Sequence, residues 1–204
     1  EDDIRLVAQE IDRCRAILGK LRSMKDDALL DHLSVAQLVE EAAAPHRGGG
    51  VEIVADVAGE GPEPTLKRNP GLTYGIGNLV ENAADFAAAT VRVTARWTAA
   101  TLTISIADDG PGFAPQILDQ IGDPYLRSAK DGRRIKGVEG GLGLGLFIAK
   151  TLLERSGARF SARNAPEGGA VVTLRWERAA VEADEEAARG AFSLAPAGHG
   201  SISN

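Results

Sequence analysis

The feature that most restricts how this chain can fold is a glycine-rich string at residues 140–146, which opens an apolar run ending at Gly157. Because glycine has no Cβ, such a loop lets backbone amides approach an anion that side chains would otherwise hold away. The apolar run predicts a helix over residues 146–153 closed by Gly157, and the positive end of a helix favours the same anion. The string therefore predicts a polyphosphate site where a loop enters a helix.

This string matches neither of two common phosphate-binding loops. Leu146 follows Gly145 where a Walker A loop has its lysine, and the GxGxxG spacing of a Rossmann fold is absent. What remains is an alternation of glycine with leucine at Gly141, Gly143 and Gly145, for which a plain flexible connection is the alternative interpretation.

Two asparagines, Asn78 and Asn82, lie within a helix predicted over residues 72–89 from the helical spacing of its apolar side chains. Residues four apart share one face of a helix, so both amides can reach the same ligand. An amide oxygen is a hard neutral ligand that suits Mg²⁺, which keeps several waters and takes its other oxygens from phosphates. We therefore expect Asn82 to ligate magnesium; the alternative is a solvated polar face.

An acidic turn that begins at Asp108 follows a strand predicted over residues 102–106. The Asp108 carboxylate can accept a hydrogen bond from the amino group of adenine, while Gly110 and Gly112 leave room for the ring. The same five residues, DDGPG, also occur as an ordinary turn, so this assignment depends on the neighbouring motifs.

The connection over residues 110–145 is too long for a simple loop, and connections of this length are usually lids or disordered segments. Five cations stand within ten of its residues, in a chain that is otherwise acidic. A charge run is often only a solvated loop, but its position between the adenine and phosphate motifs favours a lid that clamps phosphates. Its members are Arg127, Lys130, Arg133, Arg134 and Lys136.

The N-terminal part of the chain predicts a helix that needs a partner. Residues 4–21 carry apolar side chains at alternating spacings of three and four, the a/d seam of a coiled coil, and we assign residues 1–24 to this helix. The seam is shorter than three heptads, so the helix would be marginal alone. Residues 25–33 predict a connector.

We predict one α+β domain over residues 34–178. Residues 179–204 lack apolar periodicity, so we predict that they form a disordered tail. We expect a two-layer α/β sandwich in which helices cover one face of a mixed sheet. The predicted helices cover residues 34–44, 72–89 and 146–153, and the predicted strands cover residues 51–57, 91–97, 102–106 and a hairpin within 159–178.

Composition limits the partners of the chain. A net charge of -6 and a pI near 5.2 argue against nucleic acid, whose partners need an excess of Lys and Arg. No stretch of 18 apolar residues occurs. The lone cysteine, Cys14, excludes an internal disulfide and a CxxC metal site. Cys14 lies in the seam, where it is either a small buried residue or a redox-sensitive contact with residue 14 of a second copy.

In order and spacing, four motifs resemble those of the ATP-binding catalytic domain of two-component sensor histidine kinases, whose fold is shared with DNA gyrase, Hsp90 and MutL. The resemblance covers residues 33–177. The seam resembles the second helix of the dimerisation and phosphotransfer hairpin of these kinases, and its stretch EIDRCRAIL resembles the RegB/PrrB branch of redox-responsive kinases. NLVENA, DDGPGF, DPYLR and GLGLGLFIAK resemble, respectively, the N box, the first glycine box, the F box and the second glycine box.

The resemblance implies a role for each candidate residue. Asn82 would ligate magnesium, Asn78 would lie beside the phosphates, and Asp108 would bind the adenine amino group. Gly110 and Gly112 would shape the base pocket. Gly141, Gly143 and Gly145 would flank the phosphates, and Arg127 would reach them from the F box.

Two departures from the family pattern affect the phosphate side of the site. Asp85 stands where many N boxes have a phosphate-contacting lysine, so the lid cations would have to replace that contact. Gly122 and Tyr125 replace the two usual phenylalanines of the F box.

The resemblance also implies a phosphotransferase. Related ATPases of this fold carry a glutamate, as general base, one helical turn before the metal-binding asparagine, where this chain has Asn78. An amide cannot take a proton at neutral pH, so hydrolysis should be slow and the γ-phosphate kept for an acceptor histidine. None of His32, His46 and His199 stands in the family's His-Glu or His-Asp motif, so we expect the chain to bind Mg-ATP without phosphorylating itself.

Two other classes stay open: an ATPase clamp of the gyrase, Hsp90 or MutL type, and a catalytically inactive nucleotide-binding interaction domain. For the kinase, the resemblance implies a homodimer through the N-terminal helix of the full-length protein and a response regulator as partner. It also implies that this chain is a cytoplasmic domain of a protein anchored in the bacterial inner membrane through parts absent from this sequence.

Overall fold

The computed structural model describes residues 32–118, 121 and 144–183. The predicted seam helix with Cys14, most of the predicted lid with Arg127, Gly141 and Gly143, and residues 184–204 lie outside the described residues.

The described elements confirm the predicted fold class. The helices are α1 (Val35–Ala43), α2 (Pro70–Phe86), α3 (Pro115–Leu118), α4 (Leu144–Arg155) and α5 (Arg178–Val181), with a 3-10 turn at Ala44–His46. The strands are β1 (His32–Ser34), β2 (Glu52–Gly59), β3 (Thr65–Lys67), β4 (Thr90–Trp97), β5 (Thr101–Asp108), β6 (Arg159–Asn164) and β7 (Ala170–Glu177). None of the described helices is long and apolar enough to cross a membrane.

The main sheet has five strands in the order β2-β4-β5-β7-β6. β2 pairs with β4 in parallel, and the other pairs are antiparallel, so the sheet is mixed. The hairpin predicted within residues 159–178 is confirmed as β6 with β7, and the strands predicted over residues 91–97 and 102–106 pair as a second hairpin, β4 with β5.

Alternation along the strands puts the core on one face of this sheet. In β4, Val91, Val93 and Ala95 are fully buried, whereas Arg92 and Arg96 between them are exposed. The buried side chains pack in one cluster with apolar residues of α1, α2 and α4. The helices therefore form the second layer, and no described element covers the opposite face of the sheet.

Local signals explain where the helices begin. Ser34 accepts a hydrogen bond from the Gln37 N–H while the Gln37 side chain accepts from the Ser34 N–H, which completes a capping box for α1. α2 begins at Pro70 behind Asn69, whose side chain accepts from the Gly71 N–H. α4 ends before Gly157, whose φ of 91° belongs to the left-handed region that glycine tolerates.

Glycine also permits the close contact between α2 and α4. A Cβ at Gly75 would lie 2.8 Å from Cγ of Leu153, a fully buried residue of α4. The helix that carries both candidate asparagines is therefore held directly against the helix that follows the glycine string.

The predicted helix over residues 72–89 ends earlier, at Phe86. The Asp109 carboxylate accepts hydrogen bonds from the N–H groups of Ala88, Ala89 and Thr90, and so draws the chain out of the helix towards β4. This contact joins residues about twenty positions apart, so helical spacing could not reveal it.

Both predicted boundaries of the domain are too narrow. β1 begins at His32, within the predicted connector, and pairs with β3 in a two-stranded sheet. At the other end, Val181 is buried, Glu182 bridges to Leu66, and the Ala183 N–H donates to the Thr65 carbonyl. Residues 179–183 therefore belong to the fold rather than to the tail, because they complete the edge of the small sheet.

Candidate functional site

Asn78 and Asn82 lie one turn apart on α2, with their amide nitrogens turned back to the helix. Nδ2 of Asn78 donates to the Tyr74 carbonyl at 3.1 Å, and Nδ2 of Asn82 donates to the Asn78 carbonyl at 2.7 Å. Asn78 is 5% exposed, the one buried polar residue in the described part of the chain. Because each nitrogen is used internally, each Oδ1 is left to accept a hydrogen bond or to ligate a cation.

Phe86 lies on the same face of α2 as Asn78 and Asn82, since it stands four residues, about one helical turn, after Asn82. Its side chain is 45% exposed, unlike every other large apolar side chain described. An exposed ring beside a polar row offers a planar ligand a surface on which to stack.

Asp108, at the end of β5, has one oxygen engaged and one free. Its Oδ1 accepts hydrogen bonds from the backbone N–H groups of Gly110, at 2.9 Å, and Ala170, at 3.2 Å. Within the described ranges, Oδ2 accepts none. The carboxylate is thus fixed by the backbone while one acceptor stays available to a ligand, as binding of an amino group requires.

Gly110 brings this turn against the end of α2. A Cβ at Gly110 would collide with the carbonyl oxygen of Phe86, so only glycine fits there. The turn of Asp108 therefore meets the helix four residues after Asn82. The structure brings the predicted adenine residue and the predicted metal ligand to the same end of α2.

Asp109 stabilises the contact between the Asp108 turn and the end of α2. The sequence did not indicate this role. Its Oδ1 accepts from the N–H groups of Ala88 at 2.8 Å and Ala89 at 3.0 Å, and its Oδ2 accepts from Thr90 at 3.0 Å. These backbone hydrogen bonds, Ala89 foremost, hold the pKa of the Asp109 carboxyl below its ordinary value. The second acid of DDGPG was the available signal, but its partners could not be read from spacing.

The β6–β7 hairpin supports the turn from the other side. A Cβ at Gly169, whose φ is 87°, would collide with the Asp108 carbonyl oxygen. The Asn164 amide accepts from the Phe113 N–H at 2.7 Å and donates to the Phe113 carbonyl at 2.8 Å. Gly112, with φ of 76°, packs against the same Asn164 side chain. The sequence predicts a hairpin within residues 159–178 but does not indicate these contacts of Gly169 and Asn164.

Gly145 lies in the first turn of α4, where backbone N–H groups have no acceptor within the helix. Further along α4, the Lys150 ammonium donates to the Ile121 carbonyl at 3.3 Å and lies 5.8 Å from the centre of the Phe160 ring. The other predicted phosphate residues, Gly141, Gly143 and Arg127, lie outside the described residues.

Asp85 is exposed and lines a surface depression of about 460 Å³ together with His46 and Arg47.

Within the part of the chain that the structure describes, no group of three or more His, Cys, Asp or Glu side chains is placed to hold a metal ion. Among the described side chains, the free amide oxygens of Asn78 and Asn82 are hard neutral donors of the kind that suits Mg²⁺.

Comparison with known protein families gives a match over residues 68–180 to the family described as "Histidine kinase-, DNA gyrase B-, and HSP90-like ATPase". Among curated proteins, the chain is 41% identical over 194 residues to the sensor histidine kinase RegB of Cereibacter sphaeroides, an alignment that covers 86% of this chain and 42% of that protein. It is 31% identical over 170 residues to the sensor histidine kinase GtrS of Pseudomonas aeruginosa, covering 81% of this chain and 33% of that protein. The chain thus spans less than half the length of these relatives.

Solved structures show the same fold. The mycobacterial sensor histidine kinase MprB matches with a TM-score of 0.57 at 20% identity, over 72% of this chain and 97% of that one. Full-length ShkA in complex with AMPPNP matches with a TM-score of 0.56 at 24% identity, over 76% of this chain and 32% of that one.

Proposed function

The chain belongs to the family of histidine kinase-, DNA gyrase B- and HSP90-like ATPases, and from that premise we propose that it is the ATP-binding catalytic domain of a sensor histidine kinase. In this function the γ-phosphate of ATP passes to a histidine and then to an aspartate of a response regulator. The observation that carries the proposal is the contact between the Asp108 turn and the end of α2, the helix that carries the asparagine pair; the free oxygens of these residues would serve one ligand.

The adenine end of the ligand is recognised at the turn. Oδ2 of Asp108 accepts from the adenine amino group, because Oδ1 is already held by Gly110 and Ala170. The exposed ring of Phe86 gives the base a stacking surface at the adjoining helix end. Gly110 and Gly112 keep this volume clear of side chains.

The phosphate end lies along the asparagine row. Asn82 holds the magnesium ion through its amide oxygen, and Asn78 lies beside the phosphates. Bound Mg²⁺ supplies charge neutralisation to the phosphate oxygens. The first turn of α4 with Gly145, together with Arg127, Gly141 and Gly143, provides N–H groups and positive charge for the same phosphates.

Asn78 and Asn82 favour transfer of the γ-phosphate to an acceptor over hydrolysis of ATP. A general base must accept a proton from the attacking water, and neither Asn78 nor Asn82 can do so at neutral pH. ATP bound here is therefore hydrolysed slowly, which keeps its γ-phosphate for an acceptor and distinguishes the kinase from an ATPase clamp of the gyrase type.

Calorimetric titration with ATP, in magnesium and then in EDTA, tests the proposal. We expect saturable binding that is tighter with magnesium, ATP turnover close to the uncatalysed rate, and no acid-labile phosphate on the chain after incubation with γ-labelled ATP. Absence of binding at millimolar ATP would indicate an inactive interaction domain. Steady turnover without an acceptor would indicate an ATPase clamp.

The finer features of the parent protein also belong to this proposal. They are dimerisation through the seam helix of residues 1–24, anchoring of the full-length protein in the inner membrane, and redox control through Cys14 across the dimer. The identity with a sensor histidine kinase supports dimerisation and anchoring, and the seam position of Cys14 is what supports redox control. A chain that stays monomeric on a non-reducing gel after oxidant treatment would contradict the role of Cys14.

A further inference from the structure

The face of the main sheet that points away from the helices carries five exposed arginines, and we call it the open face. Strand alternation puts them there, because their neighbours along each strand point into the core. Arg175, for example, stands between Leu174 and Trp176, which are both buried. The five are Arg92 and Arg96 of β4, Arg175 of β7, and Arg159 and Arg163 of β6.

Strand register arranges these arginines in two rows that run across the sheet. Register aligns Arg96, Thr103, Arg175 and Arg159 across β4, β5, β7 and β6 in one row. It aligns Arg92, Ala107, Val171 and Arg163 in the other. Arg92 and Arg96 are four residues apart on β4, so the rows are separated by about 13 Å at the rise of an extended strand.

A floor of small hydroxyl side chains lies between the two rows. The Ser105 Oγ and Thr173 Oγ1 atoms form a hydrogen bond of 3.1 Å across β5 and β7. Because these side chains are short and arginine is long, the arginine pairs of β4 and β6 flank a shallow trough at its two ends, and Arg175 borders it on β7. Its floor is formed by Thr94, Ser105, Thr173 and Ser161.

Most of the five arginines form no ion pair with a described residue. Among the residues that the structure describes, only Arg96 of the five forms an ion pair, through Nη2 and Oδ2 of Asp56 at 2.5 Å. Hydrogen bonding with Arg96 keeps the pKa of the Asp56 carboxyl below its ordinary value. This pair shows how the face takes a carboxylate. The charge of Arg92 also acts on the Asp56 carboxylate, whereas Arg159, Arg163 and Arg175 form no ion pair among the described residues.

We propose that the open face binds an acidic α-helix of a partner protein, laid in the trough across the strands. An α-helix with its side chains is about 10–12 Å wide, which matches the spacing of the two rows. All the cations are arginines, whose planar groups pair with carboxylates in two hydrogen bonds, and the strands hold them at fixed positions.

The shape of the face favours a rod over a lipid surface. The floor is recessed between the rows, whereas a flat layer of headgroups would meet only the arginine tips. No aromatic side chain stands on the described open face, although membrane-surface helices use such residues to enter the acyl boundary. The nucleotide site is built from α2, Asp108 and the β6–β7 turn, so the two surfaces are independent of each other.

Fluorescence polarisation tests the proposal with the full chain and a labelled alanine-based helical peptide that carries glutamates along both flanks of one face. The double variant Arg159→Gln with Arg175→Gln should weaken peptide binding by about tenfold, as expected for the loss of two charge pairs. The control pair Arg47→Gln with Arg155→Gln removes the same charge elsewhere and should change the affinity less than twofold. ATP affinity should not change in either double variant.

Equal losses in the two double variants, or no loss in the first, would overturn the proposal, as would equal binding of the matched lysine peptide. Binding to vesicles of anionic lipid without binding to the peptide would assign the face to a membrane instead. Peptide binding seen only after Asp184, Glu185 and Glu186 are changed to amides would assign it to this chain's own acidic segment. Melting temperatures of all variants show that the fold is retained.

Discussion

Replacing Asp108 by asparagine separates the ligand contact of this residue from its structural contacts. The amide oxygen of Asp108→Asn can still accept from the Gly110 and Ala170 N–H groups, as Oδ1 does now. The amide nitrogen then occupies the place of the free Oδ2 and points a donor at the adenine amino group. The substitution therefore removes one charge-assisted acceptor while leaving the turn intact.

The expected magnitude follows from that single contact. A hydrogen bond to a charged group contributes about 1.5–3 kcal/mol, which corresponds to about a ten- to hundredfold rise in the Kd for ATP. GTP should respond differently, because guanine presents a carbonyl where adenine presents its amino group, and that carbonyl can accept from the new amide. The ratio of ATP to GTP affinity should therefore fall.

Isothermal titration of wild type and Asp108→Asn with ATP and GTP measures both effects. Asp56→Asn removes the same charge on the open face and should leave the Kd for ATP within twofold. If Asp108→Asn keeps its melting temperature and binds ATP within twofold of wild type, then Oδ2 does not contact the base and the reasoning is refuted.

Three further substitutions address the metal, the junction and the helix contact. Asn82→Ala should weaken ATP binding in magnesium but hardly in EDTA; equal losses in both titrations would show that Asn82 is not the ligand. Asp109→Ala should lower the melting temperature at neutral pH. The pKa of Asp109 lies below its ordinary 3.8, so this difference should shrink as the pH falls through the folded pKa, and a difference that grows in acid would contradict the contact. Gly75→Ala should lower the free energy of unfolding by about 1–3 kcal/mol because its Cβ meets Leu153, and less in a Leu153→Ala background; denaturant titrations of the four chains measure this coupling.

Features that depend on neighbours in sequence could be predicted well. Ser34 stands at the start of the helix predicted over residues 34–44, and its side chain caps α1. The alternation in β4 and β5 predicts both the strands and the face that is buried. The same holds for the asparagine pair, since positions four apart on a helix share a face whatever surrounds them.

Features that depend on distant contacts could not be predicted in the same way. α2 stops at Phe86 because the Asp109 carboxylate accepts hydrogen bonds from the N–H groups of Ala88, Ala89 and Thr90. The sequence around Phe86 carries no signal that predicts this end of the helix. Gly169 is a turn residue by its sequence, and only the fold brings it against the Asp108 carbonyl.

The end of the domain was missed for a similar reason. Arg178 donates to the Pro62 and Thr98 carbonyls and to Glu182, which anchors α5 to loops far away in sequence. The sequence from residue 179 predicts disorder because its apolar residues show no periodicity. The hydrogen bonds and the burial of Val181 supply what the apolar content does not.

A heteronuclear NMR titration of the chain with a non-hydrolysable ATP analogue and magnesium tests most directly whether the two halves of the site serve one ligand. We predict that the side-chain amides of Asn78 and Asn82 and the backbone amides of Gly110 and Ala170 shift together, with one Kd, while Thr94 and Ser105 on the open face do not move. Shifts confined to the depression beside His46, or to only one of the two groups, would contradict a shared nucleotide site.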